Sequence, residues 1–141
     1  MGRLIYSSMT SLDGYIADSD GEFDWSAPDA EVHAFVNDRE RPVGTYLYGR
    51  RLYEVMTYWE TATAENDPDI APVELDYADI WRAADKVVYS TTLDAVTTSR
   101  TRLERSFDPV AVRAFVDASD RDVGLGRVLR HDHGHCPERL A

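Results

Sequence analysis

Hydrophobic positions along this chain follow two rhythms in alternation. Short apolar runs at Leu4-Ile5-Tyr6, Thr45-Tyr46-Leu47-Tyr48, Lys86-Val87-Val88-Tyr89 and Asp122-Val123-Gly124-Leu125-Gly126 read as strands. The first is a buried strand spanning Arg3 to Met9, and the last runs into a glycine turn. Between the strands, apolar residues recur at helical spacing: Val32, Phe35 and Val36; Leu52, Val55 and Met56; Tyr77, Ile80, Trp81 and Ala84; Val112, Phe115 and Val116. Each stripe marks the face that such a helix buries, and His33, off its stripe, reads as a surface residue.

Punctuation agrees with this division. Ser26 or Asp29, with Pro28, starts the first helix, Pro42-Val43-Gly44 ends it, and Pro72 and Asp108-Pro109 open later ones. The segment from Thr57 to Ala71 is irregular, and Trp59 within it fits either a core plug or a pocket wall. Arg102-Leu103-Glu104 is a short edge strand. Strands alternating with helices predict an α/β fold with right-handed crossovers and a largely parallel sheet.

In such a sheet, ligands collect outside the carboxyl ends of the strands. Four polar segments follow the predicted strands there: Ser11-Leu12-Asp13-Gly14, Gly49-Arg50, Ser90-Thr91-Thr92 and Gly124-Leu125-Gly126. The second is an anion site in outline. A helix start leaves backbone N–H groups unpaired and carries a partial positive charge, Gly49 lets a ligand approach the backbone, and Arg50 and Arg51 add forked donors. In the first segment, Asp13-Gly14 predicts a tight turn within a polar connector.

Composition narrows the partners. A net charge of −11 argues against nucleic acid and against anionic membrane surfaces, which would repel the chain. A small phosphate-bearing ligand remains compatible, because its basic contacts are local. Cys136 is the sole cysteine, so no internal disulfide forms and a reducing cytoplasm is the simplest setting. The first strand starts within a few residues of Met1, leaving no room for a signal peptide, and no apolar run reaches membrane-spanning length. The 141 residues fit one domain, expected over residues 1–126.

Three ordered pieces, Ser11-Leu12-Asp13-Gly14-Tyr15-Ile16-Ala17, Gly49-Arg50-Arg51-Leu52-Tyr53-Glu54 and Lys86-Val87-Val88-Tyr89-Ser90, resemble the dihydrofolate reductase-like family that includes the RibD C-terminal reductase domain. The resemblance implies a three-layer α/β/α fold and an NADPH-dependent reductase that passes hydride to a ribosylaminopyrimidine- or pterin-like acceptor in riboflavin biosynthesis or related chemistry. It places Asp13 beside the reacting centre in a polar or proton-handling role and Ser11 and Gly14 at the substrate, where Trp59, read as a pocket wall, would join them. Gly49, Arg50, Arg51, Ser90, Thr91 and Thr92 would hold the adenosine phosphates, and Gly124 and Gly126 the pyrophosphate. Relatives often carry a basic residue where this chain has Thr91, so NADH stays open beside NADPH. A homodimer is implied, and a non-catalytic nucleotide-binding or dimerisation module is the alternative reading.

After Gly126 the chain leaves the family pattern. Where relatives open another helix with a double glycine and continue into further strands, residues 127–141 form an atypical tail, expected to be disordered, that ends in His131-Asp132-His133-Gly134-His135-Cys136. The abrupt change suggests a shifted reading frame or a shortened gene. His and Cys are metal-ligand types, but their spacing matches no closed zinc motif, and no metal is expected. Without the later strands, an open sheet edge and weaker cofactor binding are expected.

Overall fold

The computed structural model describes residues 1–8, 10–15, 19–20 and 28–126. Met9, Ile16, Ala17, the Ser26 cap and the tail at 127–141 lie outside the described residues. The elements are β1 (Leu4–Tyr6), α1 (Ala30–Glu40), β2 (Val43–Gly49), α2 (Arg50–Met56), a 3-10 turn (Thr57–Glu60), α3 (Pro72–Ala83), β3 (Asp85–Tyr89), β4 (Thr101–Glu104), α4 (Pro109–Ala118) and β5 (Asp122–Leu125). The five strands form one sheet in the order β1-β5-β2-β3-β4, and every pairing is parallel. Parallel pairing aligns all strand ends, so the loops after β2, β3 and β4 emerge on the same side as Gly126 at the end of β5.

Strand alternation divides the core into two layers. Tyr46, Tyr48 and Val88 face α2 and α3 and pack with Tyr53, Tyr77 and Trp81. On the opposite face, Leu47, Val87 and Val123 pack against Val112 and Val116 of α4. This is the expected three-layer α/β/α arrangement. Trp81 is fully enclosed, and its indole N–H donates to the Tyr48 hydroxyl at 3.0 Å, so the largest core residue has its one polar atom satisfied.

Local chemistry sets the helix starts. The Asp29 carboxylate accepts from the Val32 N–H at 2.9 Å and the Asp108 carboxylate from the Val110 N–H at 3.0 Å. At α3, Pro72 occupies the first turn while Glu74 reaches back to accept from the Ala71 N–H at 3.3 Å.

Four expectations are corrected. Helix α1 does not bury its apolar stripe: Val32 and Phe35 are exposed, whereas Asn37 is completely buried. Asn37 donates to the Val73 carbonyl at 2.8 Å and to Asp76 at 3.0 Å, and Arg41 pairs with the same aspartate, so polar contacts to α3 fix the helix with Val32 and Phe35 outward and only Val36 of the stripe half-buried. The rotation draws His33 into a ring cluster, 5.9 Å from Tyr77 and 6.2 Å from Trp59. In α2, Val55 is exposed and Tyr53 is buried in its place. Strand β1 has Leu4 and Tyr6 exposed rather than buried, because among the described residues it pairs with β5 alone. Gly124 is a strand residue paired with Ile5 and Tyr46, not part of a turn.

Lys86 is enclosed at the start of β3, with its ammonium donating to the Trp81 carbonyl at 3.1 Å and lying 4.2 Å over the Trp81 ring. Burial holds its pKa below the ordinary 10.5. Between that lowered native value and 10.5 the unfolded chain binds the proton more tightly, so this residue makes stability rise with pH across the interval. Thermal unfolding of wild type and Lys86→Met should therefore show wild type gaining on the variant as pH rises from neutral toward about 10. A difference that stays flat would contradict the assignment.

Candidate functional site

One cavity opens at the carboxyl ends of the strands, and a second runs along one face of the sheet to meet it. The larger, about 1030 Å³, runs across the ends of β2, β3 and β4 and is lined by Gly49, Arg50, Arg51, Leu52 and Glu54, by Tyr89 to Thr92, by Arg105 to Phe107, and by Gly126. Among these, three arginines face a single glutamate, so the crevice is locally basic within a chain of net charge −11. Gly49 has extended dihedrals, and a Cβ built there would meet nothing within 4 Å. The open space beside it leaves room for a ligand against the chain, consistent with the crevice volume and its charge.

The arginines have different duties. Arg50 bridges two elements, donating to Glu54 at 2.8 Å and to the Thr92 hydroxyl at 2.8 Å. The Ser90 hydroxyl accepts from the Thr92 N–H at 3.2 Å and the Leu93 N–H at 3.0 Å, which closes the turn after β3. Much of the hydrogen-bonding capacity of Arg50, Ser90 and Thr92 is thus used within the protein to shape the wall. Arg51 has no ion-pair partner among the described residues. Arg105, which pattern reading passed over, donates only to the backbone carbonyls of Ser90, Leu93 and Asp94. Among the described residues no carboxylate pairs with it. The signal available in the sequence was its position directly after the edge strand, next to the Ser90 turn.

Behind α2, the Tyr53 hydroxyl accepts from the Thr97 and Thr98 N–H groups at 3.0 and 3.2 Å and bonds the Thr98 hydroxyl at 2.9 Å. Burial alone would raise its pKa, but the bonds from Thr98 and Thr97 outweigh that and hold it below the ordinary value. This clasp ties the loop between β3 and β4 to the helix that carries Arg50 and Arg51.

The second cavity, about 710 Å³, lies beneath α1. Ile5, Val43, Tyr46 and Gly124 form its floor, and His33, Val36, Met56, Trp59 and Tyr77 its sides. Tyr46 and Tyr48 stack at 5.7 Å with 9° between planes, and Trp59 meets Tyr77 edge-on at 4.7 Å. Trp59 is half-buried, packing against two core clusters while also lining this cavity. The Tyr46 hydroxyl is buried there beside the Glu40 carboxyl and Tyr77, without a hydrogen bond of full geometry among the described residues, and burial raises the pKa of Glu40 although its bond to Tyr46 opposes the shift. Gly124 fits this floor because any side chain would press on the Tyr46 ring, 3.1 Å from the Cβ position. It faces this cavity, not the crevice expected to take a pyrophosphate.

Leu52 and Gly126 line both cavities, so the two spaces meet at the end of β5. Ser11, Asp13 and Gly14 are not brought to either lining. They form a self-contained turn in which the Ser11 hydroxyl donates to Asp13 at 2.5 Å and accepts from the Tyr15 N–H at 2.9 Å, with Gly14 at φ +91°. Among the described residues no group of three or more His, Cys, Asp or Glu is placed to hold a metal ion, and no helix is long and apolar enough to cross a membrane. The histidine- and cysteine-containing tail lies outside the described residues.

The chain is similar in fold to the crystal structure of a protein provisionally assigned to riboflavin biosynthesis from Shewanella sp. PV-4, with a TM-score of 0.52 and 24% identity over 89% of this chain. It is similar also to the diaminohydroxyphosphoribosylaminopyrimidine deaminase/5-amino-6-(5-phosphoribosylamino)uracil reductase of Thermotoga maritima, with a TM-score of 0.51 and 14% identity over 89% of this chain. This chain covers 64% of the first relative and 39% of the second. No curated protein sequence gives a significant match. Residues 3–122 match the family model of the RibD C-terminal domain, and with the parallel sheet and its paired cavities in view the chain belongs to that family.

Proposed function

We propose that this protein is an NAD(P)H-dependent reductase that delivers hydride to a ribosylaminopyrimidine- or pterin-like acceptor. The observation that carries the reading is the meeting of a basic crevice and an aromatic cavity at Gly126 and Leu52. A bound nicotinamide cofactor supplies the hydride, and the protein supplies position and electrostatics.

Arg51 and Arg105 offer positive charge to phosphate, Gly49 leaves room for it, and the Arg50–Thr92 bond keeps the facing wall in place. Tyr46, Tyr48 and Trp59 give a flat acceptor ring apolar faces, and the Tyr46 hydroxyl on the same lining offers it a hydrogen bond. Asp13 enters this proposal on the family resemblance alone, as the polar group beside the reacting centre. The homodimer is proposed on the same ground, and light scattering tests it directly.

Quenching of tryptophan fluorescence on titration with NADPH and NADH, followed by cofactor oxidation across a panel of pterin and ribosylaminopyrimidine acceptors, tests the reading. Saturable quenching and turnover with at least one acceptor are expected. Binding without turnover would favour a nucleotide-binding module instead, and absence of binding at millimolar concentration would remove the basis for both.

A further inference from the structure

The outward side of α1 carries an ordered pattern that the fold itself does not use. Asn37 and Arg41 tie the helix to α3 and leave Val32 and Phe35 exposed. Glu31, Phe35 and Arg39 stand four residues apart, so they run along one edge of the helix with Val32 beside them. Glu31 lies in the first turn and Arg39 in the last, each about 6 Å along the helix from Phe35. Both charged residues are exposed and form no ion pair or side-chain hydrogen bond among the described residues, Arg39 acting only at a distance on the adjacent Glu40 carboxyl. Asp38, on the same side, is already paired with Arg41.

This edge is its own complement under a two-fold rotation. When the same edge of a second copy lies antiparallel against it, with the axis at Phe35, the apolar centres coincide and each Glu31 meets Arg39 of the partner subunit. A parallel arrangement would set Glu31 against Glu31 and Arg39 against Arg39, and like charges so placed repel. The charges therefore select one orientation and close both ends of the apolar contact. A net charge of −11 keeps copies apart in general, so a locally complementary edge is the kind of surface at which they can meet.

We propose that the outward edge of α1 is a self-association surface, at which two copies of this chain meet through Phe35 and Val32 with reciprocal Glu31–Arg39 pairs. This gives a face to the homodimer, which the family resemblance alone implies, and it does not depend on the reductase reading. An eleven-residue helix offers an interface at the small end of the range, so a dissociation constant on the order of 10–100 μM is expected.

Sedimentation velocity on the full chain, from about 1 to 500 μM, tests the proposal. Wild type should pass from monomer to dimer across that range. Phe35→Ala should weaken association at least about tenfold, while the thermal midpoint of the dilute monomer stays at the wild-type value because Phe35 is exposed in its own chain. Glu31→Arg and Arg39→Glu each place like charges across the axis twice and should also weaken it at least about tenfold. The double variant Glu31→Arg/Arg39→Glu should return to within about threefold of wild type. That recovery separates pairing from a purely structural role: the native signs also suit the helix dipole, which the double variant opposes at both ends.

A wild type that stays monomeric at every concentration would overturn the proposal. So would a dimer that survives Phe35→Ala and both single reversals, since the copies would then meet on another surface, and so would a double variant that fails to recover. Titration with NADPH keeps the two readings apart: loss of nucleotide binding leaves this surface standing, and a monomer that binds NADPH leaves the reductase reading standing.

Discussion

Replacing Gly126 by valine is expected to lower turnover by on the order of a hundredfold while leaving 2′,5′-ADP binding within about threefold of wild type. The asymmetry comes from where Gly126 stands. It borders both cavities, and even a Cβ there falls 2.6 Å from Leu52 Cδ2, so a branched side chain and the displaced leucine fill the opening between them, where the proposed function has cofactor and acceptor meet. The reacting groups would be separated by an ångström or more, and transfer is steeply sensitive to such a displacement. Arg51, Arg105 and Phe107 lie elsewhere in the crevice and keep their geometry. Steady-state rates and probe titration on the same sample measure the two effects, with the thermal midpoint confirming that the variant is folded. Parallel loss of binding and turnover would show that Gly126 shapes the whole crevice rather than the junction.

The largest effect on stability is expected from Trp81→Ala, at about 3–5 kcal/mol. Trp81 is enclosed completely, and removing its ring leaves a cavity among Tyr48, Tyr77 and Val88. It also removes the donor to the buried Tyr48 hydroxyl and the ring beneath the Lys86 ammonium, leaving two polar groups with poorer surroundings. A domain of this size has a total stability of about 5–15 kcal/mol, so the loss is a large share of it. The thermal midpoint should fall by about 10–15 °C. Phe35→Ala is the informative companion: Phe35 is 64% exposed, and its removal should change stability by no more than about 0.5 kcal/mol. Similar losses for both variants would place the α1 stripe in the core and contradict the orientation of that helix.

Those two aromatic residues also show how far the sequence could be read. Helix α3 was legible because its stripe and its structural role coincide: Tyr77, Trp81 and Ala84 are all buried against the sheet. Helix α1 carries an equally clear stripe, yet Asn37 and Arg41, through Val73 and Asp76, decide which side faces inward. Periodicity cannot weigh a buried amide against two apolar side chains, because the partners of that amide lie more than thirty residues away. The same limit explains Gly124, whose absent side chain makes room for Tyr46 across the sheet and not for a turn.

The crevice was legible as a set of loops, since parallel strands must place their carboxyl ends together. Arg105 was not, because its interest lies in the chemistry of its partners. An arginine that binds only carbonyls keeps its charge, whereas Arg50, singled out from the sequence, shares its charge with Glu54. Trp59 reads as a pocket wall as well as a core residue once Tyr46, Tyr77 and Met56 are seen around the same space.

A crystal structure of this chain with NADPH decides whether one continuous site carries cofactor and acceptor. Phosphates are expected between Arg51 and the Ser90–Thr92 turn, and the nicotinamide ring at Gly126 facing the cavity of Tyr46 and Trp59. A nicotinamide ring placed at the β4 end, or a cofactor bound outside the crevice, would contradict a single continuous site.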